Sequence, residues 1–286
     1  MGIARAIVLA LALVTLACSR AGAADGWFTT SDGVRLHYIE AGQTPAAHTI
    51  VLVPGWTMPA WIFQAQIADF ARQYHVVALD PRGQGESEIA PDGYDQDRRG
   101  QDIAELIRHV SRQPVLLLGW SLGVLDSLAY IHADGDAAIA GLVLVDNSVG
   151  EDPPPAPPRH ALHASRHLPR DLMMRAFVRG MFRTPQTAAY LTELTGACLH
   201  TPERAAAELL EYPVPRTYWK AAIYSTRRPV LYIVRPGLAG QAENLRRHHP
   251  SAEAVVMTGV GHALFVDAAP RFDALVRDFI RRRVWP

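Results

Sequence analysis

Ser121 is the residue of this chain best placed to do chemistry. It stands in Gly119-Trp120-Ser121-Leu122-Gly123, after an apolar run (Val115 to Leu118) and before a helical pattern of Leu125, Leu128, Ala129 and Ile131. A strand that turns sharply into a helix holds a serine at the apex in strained backbone geometry, so only small residues fit two positions to either side. Gly119 and Gly123 meet that need. The helix that follows aims its first N–H groups at the serine, where an oxyanion forms during acyl transfer. The chemistry this predicts is nucleophilic attack by Ser121. An ordinary strand-to-helix turn would carry the same pentapeptide, and the strand and helix on its two sides are what favour the nucleophile.

Other reactive groups are less well placed. Asp126 lies inside the helix after Ser121 and faces away from it. Cys198 sits in a helical stretch remote from any turn motif. His160, His163 and His167 could place two imidazoles on one helix face, but a zinc site needs further ligands and an open geometry. The sequence has no Walker lysine pattern, no complete G-x-G-x-x-G and no C-x-x-C, so no nucleotide, metal or other cofactor is implied. The 28 basic and 28 acidic residues balance, which argues against a nucleic-acid partner. A small-molecule substrate remains, and nothing in the sequence bears on oligomeric state.

These residues need a scaffold. The chain has 286 residues and is 49% hydrophobic, enough for one large core or a core with an insertion. Trp27 to Thr30 and Val34 to Ile39 flank Ser31-Asp32-Gly33, a hairpin signal. Apolar runs follow at 49–53, 76–79, 115–118, 142–145, 230–234 and 254–257, as expected of strands buried on both faces of a parallel sheet. Ile103, Leu106, Ile107 and Val110, and later Phe272, Leu275, Val276, Phe279 and Ile280, repeat at helical spacing. The alternation predicts an α/β fold: a mostly parallel central sheet flanked by helices, with antiparallel strands at one edge. It is interrupted after the proline-rich Asp152 to Arg159, where helical character without a clear strand runs on. Residues 149–222 are therefore read as a helical cap, with 24–148 and 223–286 forming the core. Pattern alone does not separate a cap from ordinary covering helices.

Four segments carry a family resemblance over nearly the whole chain after residue 23: Val51 to Trp56 (V-L-V-P-G-W), Asp80 to Ser87 (D-P-R-G-Q-G-E-S), the Ser121 pentapeptide, and Gly261 to Phe265 (G-H-A-L-F). In order and spacing the chain resembles the α/β-hydrolase fold superfamily, most closely its esterase, lipase and non-heme haloperoxidase-like branch with a cap. The resemblance implies that His262, after the last strand, is the base; its unperturbed pKa suits a serine near neutral pH. It implies an oxyanion hole from the backbone N–H groups of Leu122 and Trp56. The family usually begins the oxyanion loop His-Gly. This chain has Pro54-Gly55, which keeps the backbone donor and loses the histidine's bonds.

The acid departs from the commonest family pattern, which places it after the strand ending at Val234. Arg235 to Ala239 contain no carboxylate, and the first acid, Glu243, falls a turn into a helix. Some relatives place the acid after the preceding strand, where this chain has Asp146. Asp146 is the first choice, Glu243 the second, and a backbone carbonyl holding His262 the third. Asp80 is expected to brace its loop with Arg82.

The implied function is hydrolysis of carboxylic esters through an acyl-enzyme. Perhydrolysis on the same triad, or a non-catalytic binding protein that keeps the fold, are the alternatives. Trp56, Trp120, Met173, Phe177 and Met181 are expected to line an apolar substrate pocket. At the N-terminus, Arg5, the apolar Ala6 to Ala17 and Ala21-Gly22-Ala23 read as a signal peptide over residues 1–23, with export to the periplasm or medium. The apolar run is too short to span a bilayer, so no stable membrane insertion is expected. A lipid anchor on Cys18 is the lesser alternative, because Thr15 stands where a lipobox wants an aliphatic residue.

Overall fold

The computed structural model describes residues 22–42, 48–155 and 169–286. The signal-peptide reading over 1–21, Cys18, and His160, His163 and His167 therefore lie outside the described residues. The elements of the first half are β1 (Ala23–Thr29), β2 (Arg35–Ala41), β3 (Thr49–Val53), α1 (Gln64–Phe70), β4 (His75–Leu79), α2 (Gln96–Val110), β5 (Val115–Trp120), α3 (Leu122–Asp134) and β6 (Ile139–Val145). Four helices follow: α4 (Arg170–Gly180), α5 (Ala188–His200), α6 (Glu203–Glu208) and α7 (Arg216–Ser225). The chain then continues through β7 (Val230–Val234), α8 (Ala239–His248), β8 (Ala252–Val256), α9 (Leu264–Asp267) and α10 (Ala269–Phe279).

The strands form one sheet in the order β1-β2-β4-β3-β5-β6-β7-β8. The β1–β2 and β2–β4 pairs are antiparallel, and every pair from β4 onward is parallel. This is the mostly parallel sheet with an antiparallel edge that the sequence predicts. Parallel strands need crossovers, and the helices that make them cover both faces. One face packs α2, α3, α7 and α8 through residues such as Ile103, Leu128, Trp219 and Leu245. The other packs α1 and α10 through Ile67, Phe70, Phe272 and Phe279, and the same cluster takes in Met174 and Val178 of α4 and Leu194 and Cys198 of α5. The residue-222 limit of the expected cap falls within α7, which packs against α3.

Two buried polar clusters fix the loops at the strand ends. Arg82 is fully buried and forks onto Asp102 at 2.7 and 2.9 Å, with Asp32 at 3.0 Å. Asp80 does not pair with Arg82 as its position in the loop suggested. It accepts from His37 at 2.7 Å and from the N–H groups of Ala60 at 2.5 Å and Glu86 at 3.0 Å. The Arg82 guanidinium is instead taken up by Asp102 and Asp32, and the Asp80 carboxylate by an imidazole and two backbone donors. Gly85 shows how tightly that carboxylate is enclosed: a Cβ there would lie 2.0 Å from Asp80 Oδ1.

Candidate active site

Register places the site. Trp120 of β5 aligns with Val145 of β6, Val145 with Ile233 of β7, and Ile233 with Val255 of β8. Ser121, Asp146, Arg235 and the loop carrying His262 therefore leave the same C-terminal edge of four adjacent strands, where open α/β sheets present functional groups.

Ser121 sits at φ 55°, ψ −120°, directly before α3. A non-glycine residue in that region is strained by about 1–3 kcal/mol, a cost borne where the surrounding structure enforces it. The flanking glycines show what enforces it. A Cβ on Gly119 would lie 2.2 Å from the Gly123 carbonyl oxygen, and one on Gly123 2.3 Å from that of Val53. Asn147 adds a hold from outside, its side-chain amide donating to the Ser121 carbonyl at 2.8 Å.

The hydroxyl of Ser121 lies 2.8 Å from His262 Nε2, and His262 Nδ1 lies 2.7 Å from Asp146 Oδ2. An ionised carboxylate only accepts, so the Nδ1 proton faces Asp146 and Nε2 is free to accept from Ser121. The Asp146 side chain is 1% exposed and that of His262 22%. Burial pushes the Asp146 carboxyl up, but the hydrogen bond and charge of His262 and the charge of Arg235 outweigh it, holding the group below the usual carboxylate range. Asp146 too has a positive φ, 54°, a conformation that aspartate tolerates better than most residues.

Glu243 is drawn elsewhere. It lies on the exposed face of α8, bonded to Arg246 at 2.9 Å and Arg247 at 2.7 Å, and those bonds hold it down to about 2. Asp126 makes an ion-pair contact with Arg99 at 2.9 Å, on the buried side of α3. Cys198 is buried against Met58, and burial pushes its thiol up to about 12, far from a thiolate nucleophile.

The oxyanion loop comes close enough to leave no room for a side chain at Gly55, where a Cβ would stand 2.8 Å from that of Ser121. Among the described residues the N–H groups of Trp56 and Leu122 donate to no protein acceptor. Gln84, buried in the loop after β4, sets their neighbourhood. Its Oε1 accepts from Thr57 N at 2.6 Å, and its amide donates to the Gly55 and Met58 carbonyls at 3.3 Å. Thr57 is at φ 59°, so the bend that follows Trp56 is another strained point under external restraint.

The expected pocket residues divide. Trp56 stays partly exposed, with its indole N–H on the Ala206 carbonyl at 2.7 Å and its ring edge-on to Phe177, centroids 5.1 Å apart. Trp120 does not face a pocket. It is 1% exposed, packed on Phe63 and Phe265, with its N–H on the His262 carbonyl at 2.9 Å. On α4 the buried positions are Met174 and Val178, while Met173 is only partly covered. Met181 is 2% exposed. Its carbonyl accepts from Ala263 N at 3.1 Å, so it props the His262 loop and is enclosed in the core. Asp267 makes the same connection from the other side. It accepts from Gly261 N at 2.6 Å, Arg183 N at 2.8 Å and Thr184 N at 3.1 Å.

Comparison with known proteins bears on the family and the fold. Residues 50–275 match the sequence profile of the alpha/beta hydrolase family. A stretch of 105 residues is 32% identical to the soluble epoxide hydrolase of Corynebacterium sp. (strain C12), covering 36% of each chain. Another of 121 residues is 31% identical to a bifunctional esterase/perhydrolase of Acinetobacter calcoaceticus, covering 42% of this chain and 44% of that one. The chain thus spans less than half the length of these curated relatives. An esterase structure from Rhodococcus sp. ECU1013 is similar over 91% of this chain and 99% of its own, with a TM-score of 0.76 and 25% identity. With the profile covering most of its length, the chain belongs to the alpha/beta hydrolase family.

Proposed function

We propose that this hydrolase cleaves carboxylic esters through a covalent acyl-enzyme on Ser121. The observation that carries the reading is the continuous path Asp146 Oδ2–His262–Ser121 Oγ, with steps of 2.7 and 2.8 Å. His262 takes the Ser121 proton as Oγ attacks the ester carbonyl, and Asp146 stabilises the resulting imidazolium. The oxyanion is met by the Leu122 and Trp56 N–H groups. His262 then protonates the leaving alcohol, and a water attacks the acyl-enzyme with His262 again as base. Removal of one oxyanion donor typically costs about 10²–10³ in kcat, so the two free N–H groups carry weight comparable to the triad's.

A fluorophosphonate probe tests the reading. It should label the wild-type protein on Ser121 and leave Ser121→Ala unlabelled. Equal labelling of the two would remove Ser121 from the mechanism.

The bifunctional esterase/perhydrolase relative supports a second reading on the same residues, in which hydrogen peroxide attacks the acyl-enzyme in place of water. Peracid formation from an ester and peroxide that disappears in Ser121→Ala would establish it. Export is part of the proposal and rests on Arg5, the apolar run and Ala21-Gly22-Ala23.

A further inference from the structure

Charge is balanced over the chain but not along it. Between Pro153 and Thr192 the sequence holds six arginines, Arg159, Arg166, Arg170, Arg175, Arg179 and Arg183, and one carboxylate, Asp171. Arg159 and Arg166 lie outside the described residues. Arg170 is spent on the fold, donating to the Leu199 and Thr201 carbonyls at the end of α5. Arg175, Arg179 and Arg183 are exposed, and none of them pairs with a carboxylate among the described residues.

The helix sorts its residues by face. Met174 and Val178 of α4 are buried in the core, and Phe177 meets the Trp56 ring. Leu172, Arg175, Ala176 and Arg179 stand at i, i+3, i+4 and i+7, and so share the opposite, exposed face. Leu172 is 47% exposed, apolar surface left in water beside the cations. A Cβ on Gly180 would meet no atom within 4 Å, so the C-terminal end of this face is open. Arg183 extends the basic strip just past the helix. The carboxylates nearby are otherwise engaged. Asp171 stands in the first turn of α4, at the positive end of the helix dipole. Asp267 accepts from the N–H groups of Gly261, Arg183 and Thr184 and from the Thr184 hydroxyl. Glu193 is the one carboxylate of α5.

We propose that the outer face of α4, through Leu172, Arg175 and Arg179 and with Arg183 beyond it, is a docking surface for an anionic lipid bilayer. Unpaired guanidinium groups on one face are complementary to lipid phosphates, and the half-exposed leucine among them suits the apolar boundary beneath the headgroups. A purely polar polyanion would gain nothing from that leucine. The contact is peripheral, since no helix among the described residues is long and apolar enough to cross a membrane. The opposite side of α4 packs on Trp56 of the oxyanion loop, so docking brings the candidate site within about one helix diameter, roughly 10–12 Å, of the bilayer. Docking itself is independent of the chemistry at Ser121. Its consequence, that the enzyme draws its esters from an anionic bilayer, rests on the ester-hydrolase reading.

The test is co-sedimentation of the full chain with phosphatidylglycerol/phosphatidylcholine vesicles and with phosphatidylcholine vesicles alone. The neutral vesicles report any contribution of the apolar run at 6–17, which all variants share. Wild type should bind the anionic vesicles in excess of the neutral ones, and the excess should fade as salt is raised. Arg175→Gln/Arg179→Gln should lose roughly 10- to 30-fold in partitioning, at about fivefold per basic residue near an anionic surface, with its melting temperature unchanged. Leu172→Ser should weaken binding to the anionic vesicles as well. No excess on anionic vesicles in wild type, or an excess that survives in the double variant, overturns the proposal. So does release of the protein from the vesicles by short duplex DNA at equal phosphate concentration, which would make the face a general polyanion site. Should the double variant fail to fold, the salt dependence of wild type and the Leu172→Ser variant decide. Ser121→Ala should dock like wild type, so failure of the ester-hydrolase reading leaves the docking result standing. Turnover of a long-chain p-nitrophenyl ester carried in the anionic vesicles should fall in the double variant while p-nitrophenyl acetate in solution is turned over as before. Equal loss on both substrates would overturn the claim that docking supplies the ester.

Discussion

Gln84 Oε1 and the Thr57 N–H meet at 2.6 Å, and this bond joins the loop after β4 to the loop that faces Ser121. It holds Thr57 in left-handed backbone one residue after Trp56. Replacing Gln84 by Met keeps the volume and removes an acceptor and two donors. The Thr57 N–H is buried, so its loss of partner should cost about 1–3 kcal/mol of stability. The Trp56 N–H should also lose its aim. We expect kcat on p-nitrophenyl acetate to fall by roughly 10-fold to 10³-fold with KM little changed, because the interaction is made in the transition state. A melting temperature that drops while kcat holds would make Gln84 a structural brace only.

The strain at Ser121 gives a prediction of opposite sign for stability and activity. Ser121→Ala keeps a Cβ at φ 55° and should leave stability close to wild type. Ser121→Gly removes the Cβ and should recover part of about 1–3 kcal/mol of backbone strain, less up to about 1 kcal/mol of added unfolded-chain entropy. Thermal melts should therefore rank the glycine variant above the alanine variant, with both inactive toward activated esters.

Asp146 and Glu243 can be ranked by their amides. Asp146→Asn should lower kcat by about 10³-fold or more, since His262 would be held in the wrong tautomer. Asn also tolerates the positive φ at this site, so the fold should persist. Glu243→Gln removes only exposed contacts to Arg246 and Arg247 and should leave kcat/KM near wild type. The reverse order of effects would unseat Asp146.

His37 predicts a pH dependence of stability away from the site. It is 2% exposed, with Nδ1 2.7 Å from Asp80 and Nε2 3.1 Å from Asp25. Burial lowers its pKa, but the bonds and charges of Asp80 and Asp25 raise it further, leaving it above the usual histidine value. A group raised in the folded state contributes stability that is complete below its unfolded pKa, about 6.5, and is lost as pH rises through its folded pKa. The melting-temperature gap between wild type and His37→Gln should thus be widest in mildly acidic buffer and narrow with rising pH. His249, buried on the carbonyls of Ile223 and Thr226, is lowered by burial and works in the other direction. A gap that widens toward alkaline pH would refute the His37 assignment.

Export can be read from mass. The exported protein should begin within a few residues of Ala24, at the start of β1. A retained Met1 in exported material would sink the signal-peptide reading, and a lipid on Cys18 would favour the anchored form.

Much of the fold was legible because it rests on local signals. Val115 to Leu118 and Val230 to Val234 are short apolar runs of the kind that strands covered on both faces use. Ser121 was legible because the turn that holds it needs glycines at fixed offsets, and Asp146 because Arg235 to Ala239 hold no carboxylate. What the sequence concealed acts across the fold. Gln84 reaches Thr57, Asn147 reaches Ser121, and Arg235 reaches Asp146, through bonds with no periodicity and no motif. Met173, expected to line the pocket, is partly covered, while its neighbour Met174 takes the buried position on α4, a distinction of helical phase that composition does not carry. Trp120, expected with the other aromatic residues to line the pocket, is instead packed into the core beneath His262.

Asp267 ties Gly261 to Arg183 and Thr184, and Met181 holds Ala263 through its carbonyl. The helices between β6 and β7 and the loop carrying His262 are therefore not independent parts. A graft that imported another relative's α4 for a new specificity would need to carry residues 181–184 and 261–267 as a matched set. Recombination with a breakpoint between them should yield folded but inactive chimaeras.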